Sequence, residues 1–125
     1  MEQLLIHLYS DYWLQNDWMA LNKKKDFGIA LIHAFIYTIP FLLLTQSYLA
    51  LFVIFITHAL IDGTNIVNKL NQIKNRNFTD FWVWGDKMIF DGFDTNRPPF
   101  IRVWLLIIQD NILHLIINYL AIKYL

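Results

Sequence analysis

All four histidines of this chain stand in apolar surroundings, and three of them lie four residues from an aspartate: His7/Asp11, His58/Asp62 and Asp110/His114. Residues i and i+4 share one face of an α-helix, so each pair predicts a two-group polar patch on one side of a helix. Ionisable groups in sequence this hydrophobic are costly to leave in hydrocarbon and costly to bury alone. They restrict the chain to folds in which several helices turn these patches toward one another.

The helices that carry the patches can be traced along the 125 residues. A first segment, 4–21, is largely apolar but carries His7, Asp11, Gln15 and Asp17, the first three forming a polar stripe. The second, 28–45, holds His33 near its start and Pro40, which is expected to kink it. The third is apolar from 48 to 61 and then turns polar through Asn65, Asn68, Lys69 and Asn71. The fourth, 99–125, opens on Pro98 and Pro99. Between the third and fourth, residues 72–97 mix Phe78, Phe81, Trp82, Trp84, Phe90 and Phe93 with Asp80, Asp86, Lys87, Asp91 and Asp94, the pattern of a short amphipathic element lying at a membrane interface.

Composition decides where such a bundle sits. The chain is 57% hydrophobic with mean hydropathy +0.39, too apolar for a soluble domain of this size to hide in one core. The expected fold is therefore all-α: one integral-membrane domain over 1–125, a four-helix bundle with the interfacial helix between helices three and four. Basic residues follow the first segment (Lys23, Lys24, Lys25) and lie between the third and fourth (Lys69, Lys74, Arg76, Lys87, Arg97). The positive-inside rule then predicts a multi-pass protein of the bacterial inner membrane with both termini outside the cytoplasm. Zero net charge gives no footprint for nucleic acid. With no cysteine, thiolate ligands, disulfides and thiol nucleophiles are excluded. The N-terminus, Met1-Glu2-Gln3, lacks the basic start of a cleavable signal, and none is expected.

Depth places the polar groups in layers. At about 1.5 Å of rise per residue, Asp11, His58 and Asp110 all lie roughly 15 Å from the cytoplasmic face. His7 and His114 fall near ~21 Å, and His33 and Asp62 near ~8 Å. Imidazole and carboxylate projecting from several helices toward one interior point form a natural ligand set for a divalent ion. Zinc, manganese or iron suits such donors, and there are enough for one ion or two. The predicted centre has Asp11, His58 and Asp110 at its core, with His7, His33, Asp62 and His114 as further ligands. Asp11, Asp62 and Asp110 are the candidate catalytic acids and bases, Gln15 and Asn111 outer partners of the ligands, and Arg97 and Arg102 contacts for an anionic substrate group. A bound ion that activates water would make the protein a metal-dependent intramembrane hydrolase of a lipid-linked or amphipathic substrate. Two other readings use the same residues. One is proton or ion transport along an Asp/His relay; the other is a non-catalytic membrane interaction protein, such as a phage effector, whose pairs only lock helices together. A bundle this small leaves faces for homo-oligomerisation.

The ordered set of motifs resembles the small prokaryotic and phage integral-membrane family labelled domain of unknown function 3307. The matching residues are His7, Asp11 and Gln15, followed by Trp18, Met19 and Lys23 to Lys25; then His33, Ala34 and Tyr37; then His58 and Asp62; and finally Asp110, Asn111 and His114. Asn111 stands where that family's pattern has Gln, a shorter amide. The resemblance implies an integral membrane protein with a His/Asp site and supplies no activity. A looser similarity to membrane-bound metal-dependent hydrolases implies the hydrolytic reading by analogy.

Overall fold

Asn16 interrupts the first apolar segment. Its backbone is extended and its side chain accepts the Met19 N–H at 2.9 Å, which starts a new helix. Upstream, α1 (Glu2–Leu8) runs into a π-helical turn (Tyr9–Trp13), closed by the Leu14 N–H donating to the Tyr9 carbonyl at 3.1 Å. Downstream lies α2 (Asp17–Asn22). The single helix predicted over 4–21 is thus three short pieces, because an asparagine side chain competes for the N–H groups a continuous helix would use.

The computed structural model describes residues 1–75, 90–94 and 96–125. Most of the predicted interfacial element, at 76–89 and 95, lies outside the described residues. Among the described residues the chain is all-helical. α3 (Phe27–Thr38) starts on Asp26, whose carboxylate accepts the Gly28 N–H at 2.8 Å. Pro40 has no N–H for the Ile36 carbonyl, so the Ile39 N–H takes that oxygen and the chain tightens into a 3-10 turn (Ile39–Leu43). This tightening is the form the predicted Pro40 kink takes. α4 (Tyr48–Gly63) is capped by the Ser47 hydroxyl, which accepts from the Ala50 N–H. It ends where Thr64 becomes extended, within a turn-prone Asp-Gly-Thr-Asn run. The polar tail predicted to continue the third segment is a separate helix, α5 (Ile66–Lys74). α6 (Pro99–Tyr124) is the described helix long and apolar enough to cross a membrane by itself. Among the described residues one helix, or two if α4 and α5 with their 73° bend count as one span, is long and apolar enough to cross a membrane.

The chain divides into two units, Met1–Thr64 with Ile112–Leu125, and Asn65–Asn111. In the first, α3 and α4 run side by side, with His33 and Tyr37 against His58 and Phe27 against Gly63. Small residues permit the approach: Ala30, Ala34, Ala50 and Ala59 are fully buried, and a Cβ on Gly63 would fall 2.6 Å from the Phe27 ring. Tyr37, Phe41 and Ile54 fill the apolar part of the interior. The rest of the interior is polar: His7, Ser10, Asp11, His33, His58, Asp62, His114 and Asn118 are buried. Leu43, Phe35, Tyr48, Phe52 and Trp13 are exposed instead. Buried polar groups and exposed large apolar ones thus occur together in this unit.

The second unit is built on carboxamides. From α5, Asn71, Gln72 and Asn75 donate to the carbonyls of Asp91, Phe90 and Gly92 at 2.7, 2.7 and 2.8 Å. The segment 90–94 thereby lies against the helix with Phe93 buried. The fit requires Gly92, whose φ is +81° and whose missing Cβ would stand 2.5 Å from the Gln72 backbone nitrogen. Gly92→Ala is expected to cost at least about 2 kcal/mol of local stability. Hydrogen exchange at the α5 amides, accelerated over wild type, would register it.

Candidate metal centre

Four side chains of the first unit converge on one point. Asp11 comes from the π-helical turn, His33 from the middle of α3, and His58 and Asp62 from one face of α4. The wide turn matters because a π insertion rotates the residues after it relative to a regular α-helix. It turns the two oxygens of Asp11 to different partners. Asp11 Oδ1 faces His33 and His58, whereas His7 Nδ1 bonds the Tyr37 hydroxyl at 2.7 Å and lies 3.7 Å from Asp11 Oδ2.

The separations that the two imidazole nitrogens make are nearly uniform. His33 Nε2 is 3.1 Å from Asp11 Oδ1, 3.2 Å from Asp62 Oδ2 and 3.1 Å from His58 Nε2. His58 Nε2 is 3.4 Å from Asp11 Oδ1 and 3.1 Å from Asp62 Oδ2. All four ligand atoms lie within 4.8 Å of one another. A four-coordinate ion about 2.0–2.1 Å from each donor keeps its ligands roughly 3.3–3.4 Å apart, close to these values. Proton supply fits a cation less ambiguously than it fits hydrogen bonds alone. A neutral imidazole offers one N–H, and two Nε2–H groups facing each other at 3.1 Å would oppose donor to donor. Moving a proton to Nδ1 gives it no partner, since neither His33 nor His58 has a hydrogen bond at Nδ1 among the described residues. Both rings direct their polar contacts through Nε2 into the common centre. Asp11, His33, His58 and Asp62 could therefore hold a metal ion.

Asp62 has further partners. Its Oδ2 accepts from Lys23 Nζ at 2.7 Å, and its Oδ1 lies 3.4 Å from His114 Nε2. Lys23 also donates to Gln15 Oε1 at 2.7 Å, so Gln15 touches the centre through Lys23. A second network runs from His7. Tyr37 is fully buried, its hydroxyl accepts from Asn118 Nδ2 at 2.6 Å, and its ring stacks on His58 with centroids 3.6 Å apart. Sequence reasoning assigned Lys23, Tyr37 and Asn118 no role in the centre. A spacing signal existed for two of them: Tyr37 follows His33, and Asn118 follows His114, by the same four residues that mark the His/Asp pairs.

The remaining predicted site residues belong to the second unit. Asp110 is half-buried on α6, one turn before His114. Asn111 donates to the Ile107 carbonyl of its own helix at 2.7 Å. Arg102 pairs with Asp91 at 3.0 Å, and the Arg97 guanidinium lies 5.2 Å from the Phe93 ring centroid. Both arginines thus brace the 90–94 segment.

No curated protein and no solved structure matches the chain. A family model does, and it agrees with the resemblance read from the His/Asp motifs. With residues 1–124 matching the family described as "Protein of unknown function (DUF3307)", the chain belongs to that family.

Proposed function

We propose that this protein is a membrane-embedded, metal-dependent hydrolase of a lipid-linked or amphipathic substrate. The observation that carries the metal reading is that His33 Nε2 and His58 Nε2 lie 3.1–3.4 Å from each other and from both Asp11 Oδ1 and Asp62 Oδ2, with all four ligand atoms within 4.8 Å of one another. Membrane embedding is supported by the many large apolar side chains exposed around a partly His/Asp interior and by the length and apolarity of α6, which hydrocarbon accommodates. On this reading the chain is multi-pass in the bacterial inner membrane, with Lys23 to Lys25 on the cytoplasmic side and both termini outside. The apolar exterior also leaves room for homo-oligomerisation.

A division of labour follows from the partners of each ligand. Asp11, His33 and His58 are three ligands, the number that catalytic zinc sites supply from protein. Asp62 is anchored separately by Lys23 and His114, as befits a group that also moves a proton. Bound there, a divalent ion would polarise a carbonyl or phosphoryl oxygen and acidify water. Asp62 would accept the proton, and Lys23 would keep its carboxylate oriented. Two carboxylates and one ammonium leave the cluster with one net negative charge. A divalent ion turns that into one positive charge, which an anionic group of the substrate would offset.

Elemental analysis of detergent-purified protein should find about one equivalent of zinc, manganese or iron per chain; a metal-free, folded protein would remove the basis of the proposal. Asp62→Asn should keep the ion and lose turnover of a micellar ester or phosphodiester. A second reading, an ion that only locks α3 and α4 to the π-helical turn, is favoured by the completeness of the four-group set. It predicts that Asp62→Asn loses the ion and loosens the fold together.

A further inference from the structure

Lys23 places a fixed positive charge on the carboxylate oxygen that also faces both imidazoles. Its Nζ lies 2.7 Å from Asp62 Oδ2, which is 3.2 Å from His33 Nε2 and 3.1 Å from His58 Nε2. Gln15 Oε1 holds the ammonium from the other side at 2.7 Å. The Lys23 side chain is 16% exposed while Asp62 is 3% exposed, so Lys23 stands between the buried carboxylate and the surface. An ammonium and a divalent ion that share one oxygen repel each other, and at low effective dielectric the repulsion is large.

Resting on the metal reading above, we infer that Lys23 is a positioning residue that holds Asp62 back from full coordination, keeping one coordination position for a substrate group. The ammonium weakens ion binding and is retained because it prevents the site from closing into four protein ligands. Closed four-ligand sites are structural, whereas catalytic ones keep a position open. The same ammonium also donates to Gln15 Oε1, which gives Gln15 its contact with the site.

Cobalt(II) loading of the purified protein tests this through visible absorption, with azide as the probe anion. Wild type should bind cobalt, and azide should shift its d–d bands. Lys23→Met should bind cobalt and zinc about tenfold more tightly, and its spectrum should no longer respond to azide because Asp62 has completed the coordination. Lys23→Arg, which keeps the charge, should behave like wild type. Lys23→Gln, neutral and shorter, repeats the test if the methionine variant fails to fold. A neutral variant with unchanged or weaker affinity and an azide-responsive spectrum would overturn the role of Lys23. Failure of wild type to bind cobalt or zinc at all would overturn the metal reading, and this inference with it.

Discussion

His58→Ala is expected to abolish metal binding and loosen the fold in one step. Its Nε2 stands 3.1 Å from His33 Nε2, 3.4 Å from Asp11 Oδ1 and 3.1 Å from Asp62 Oδ2, so removing it takes one of four donors from the centre. Loss of an outer partner of a ligand lowers affinity about 10–100-fold, and loss of a ligand exceeds that. The zinc dissociation constant should rise by more than ~100-fold. The ring is also fully buried and stacked on Tyr37 at 19° between planes. A cavity left by a ring of this size costs about 3–5 kcal/mol. His58→Gln separates the two effects: it should bind zinc as poorly while recovering part of the packing. Calorimetric zinc titration and unfolding in mixed detergent micelles measure both quantities. Wild-type zinc affinity in His58→Ala would show that the ion, if bound, sits elsewhere.

The second large effect belongs to a hydroxyl. Tyr37→Phe is expected to destabilise the protein by about 2–4 kcal/mol while changing zinc affinity less than about tenfold. The hydroxyl oxygen lies 2.7 Å from His7 Nδ1 and 2.6 Å from Asn118 Nδ2. The Asn118 amide donates to that oxygen, so the tyrosine proton is directed to His7 Nδ1, which must then be unprotonated. Removing the oxygen deprives two buried groups of a partner they share, at roughly 1–3 kcal/mol each. The phenyl ring still stacks on His58, which is why the centre should survive. Tyr37→Phe combined with Asn118→Leu should cost less than the sum of the two single changes, because the second removes the amide that the first strands. Strict additivity, or a loss below about 0.5 kcal/mol for Tyr37→Phe, would show that the hydroxyl is not the keystone of this network.

Legibility from sequence followed the range of the interaction. The four-residue spacing of His58 and Asp62 placed both on one face because α4 is regular from Tyr48 to Gly63. The same spacing holds for His7 and Asp11, whose Nδ1 and Oδ2 are 3.7 Å apart, and breaks down towards Gln15. A π-helical turn intervenes, Asn16 ends the run, and Gln15 meets the cluster only through Lys23. The basic run at 23–25 read as a determinant of orientation, and its first member is in addition an ion-pair partner of Asp62, 39 residues away. Nothing local to Lys23 distinguishes it from Lys24, which donates instead to the Thr64 carbonyl at 3.1 Å.

Local chemistry in the chain itself settled that it is helical, that its acids and imidazoles cannot face hydrocarbon, and that no thiol takes part. Helical periodicity and the cost of burying charge act over a few residues and need no knowledge of the fold. Tertiary packing alone decided which atoms meet. The small residues between α3 and α4 let His33 approach His58 at 3.1 Å, the π-helical turn aimed Asp11 at both, and Lys23 reached Asp62. Those distances depend on helix register, on one inserted residue in a turn and on long-range approach, none of which leaves a periodic trace along the chain.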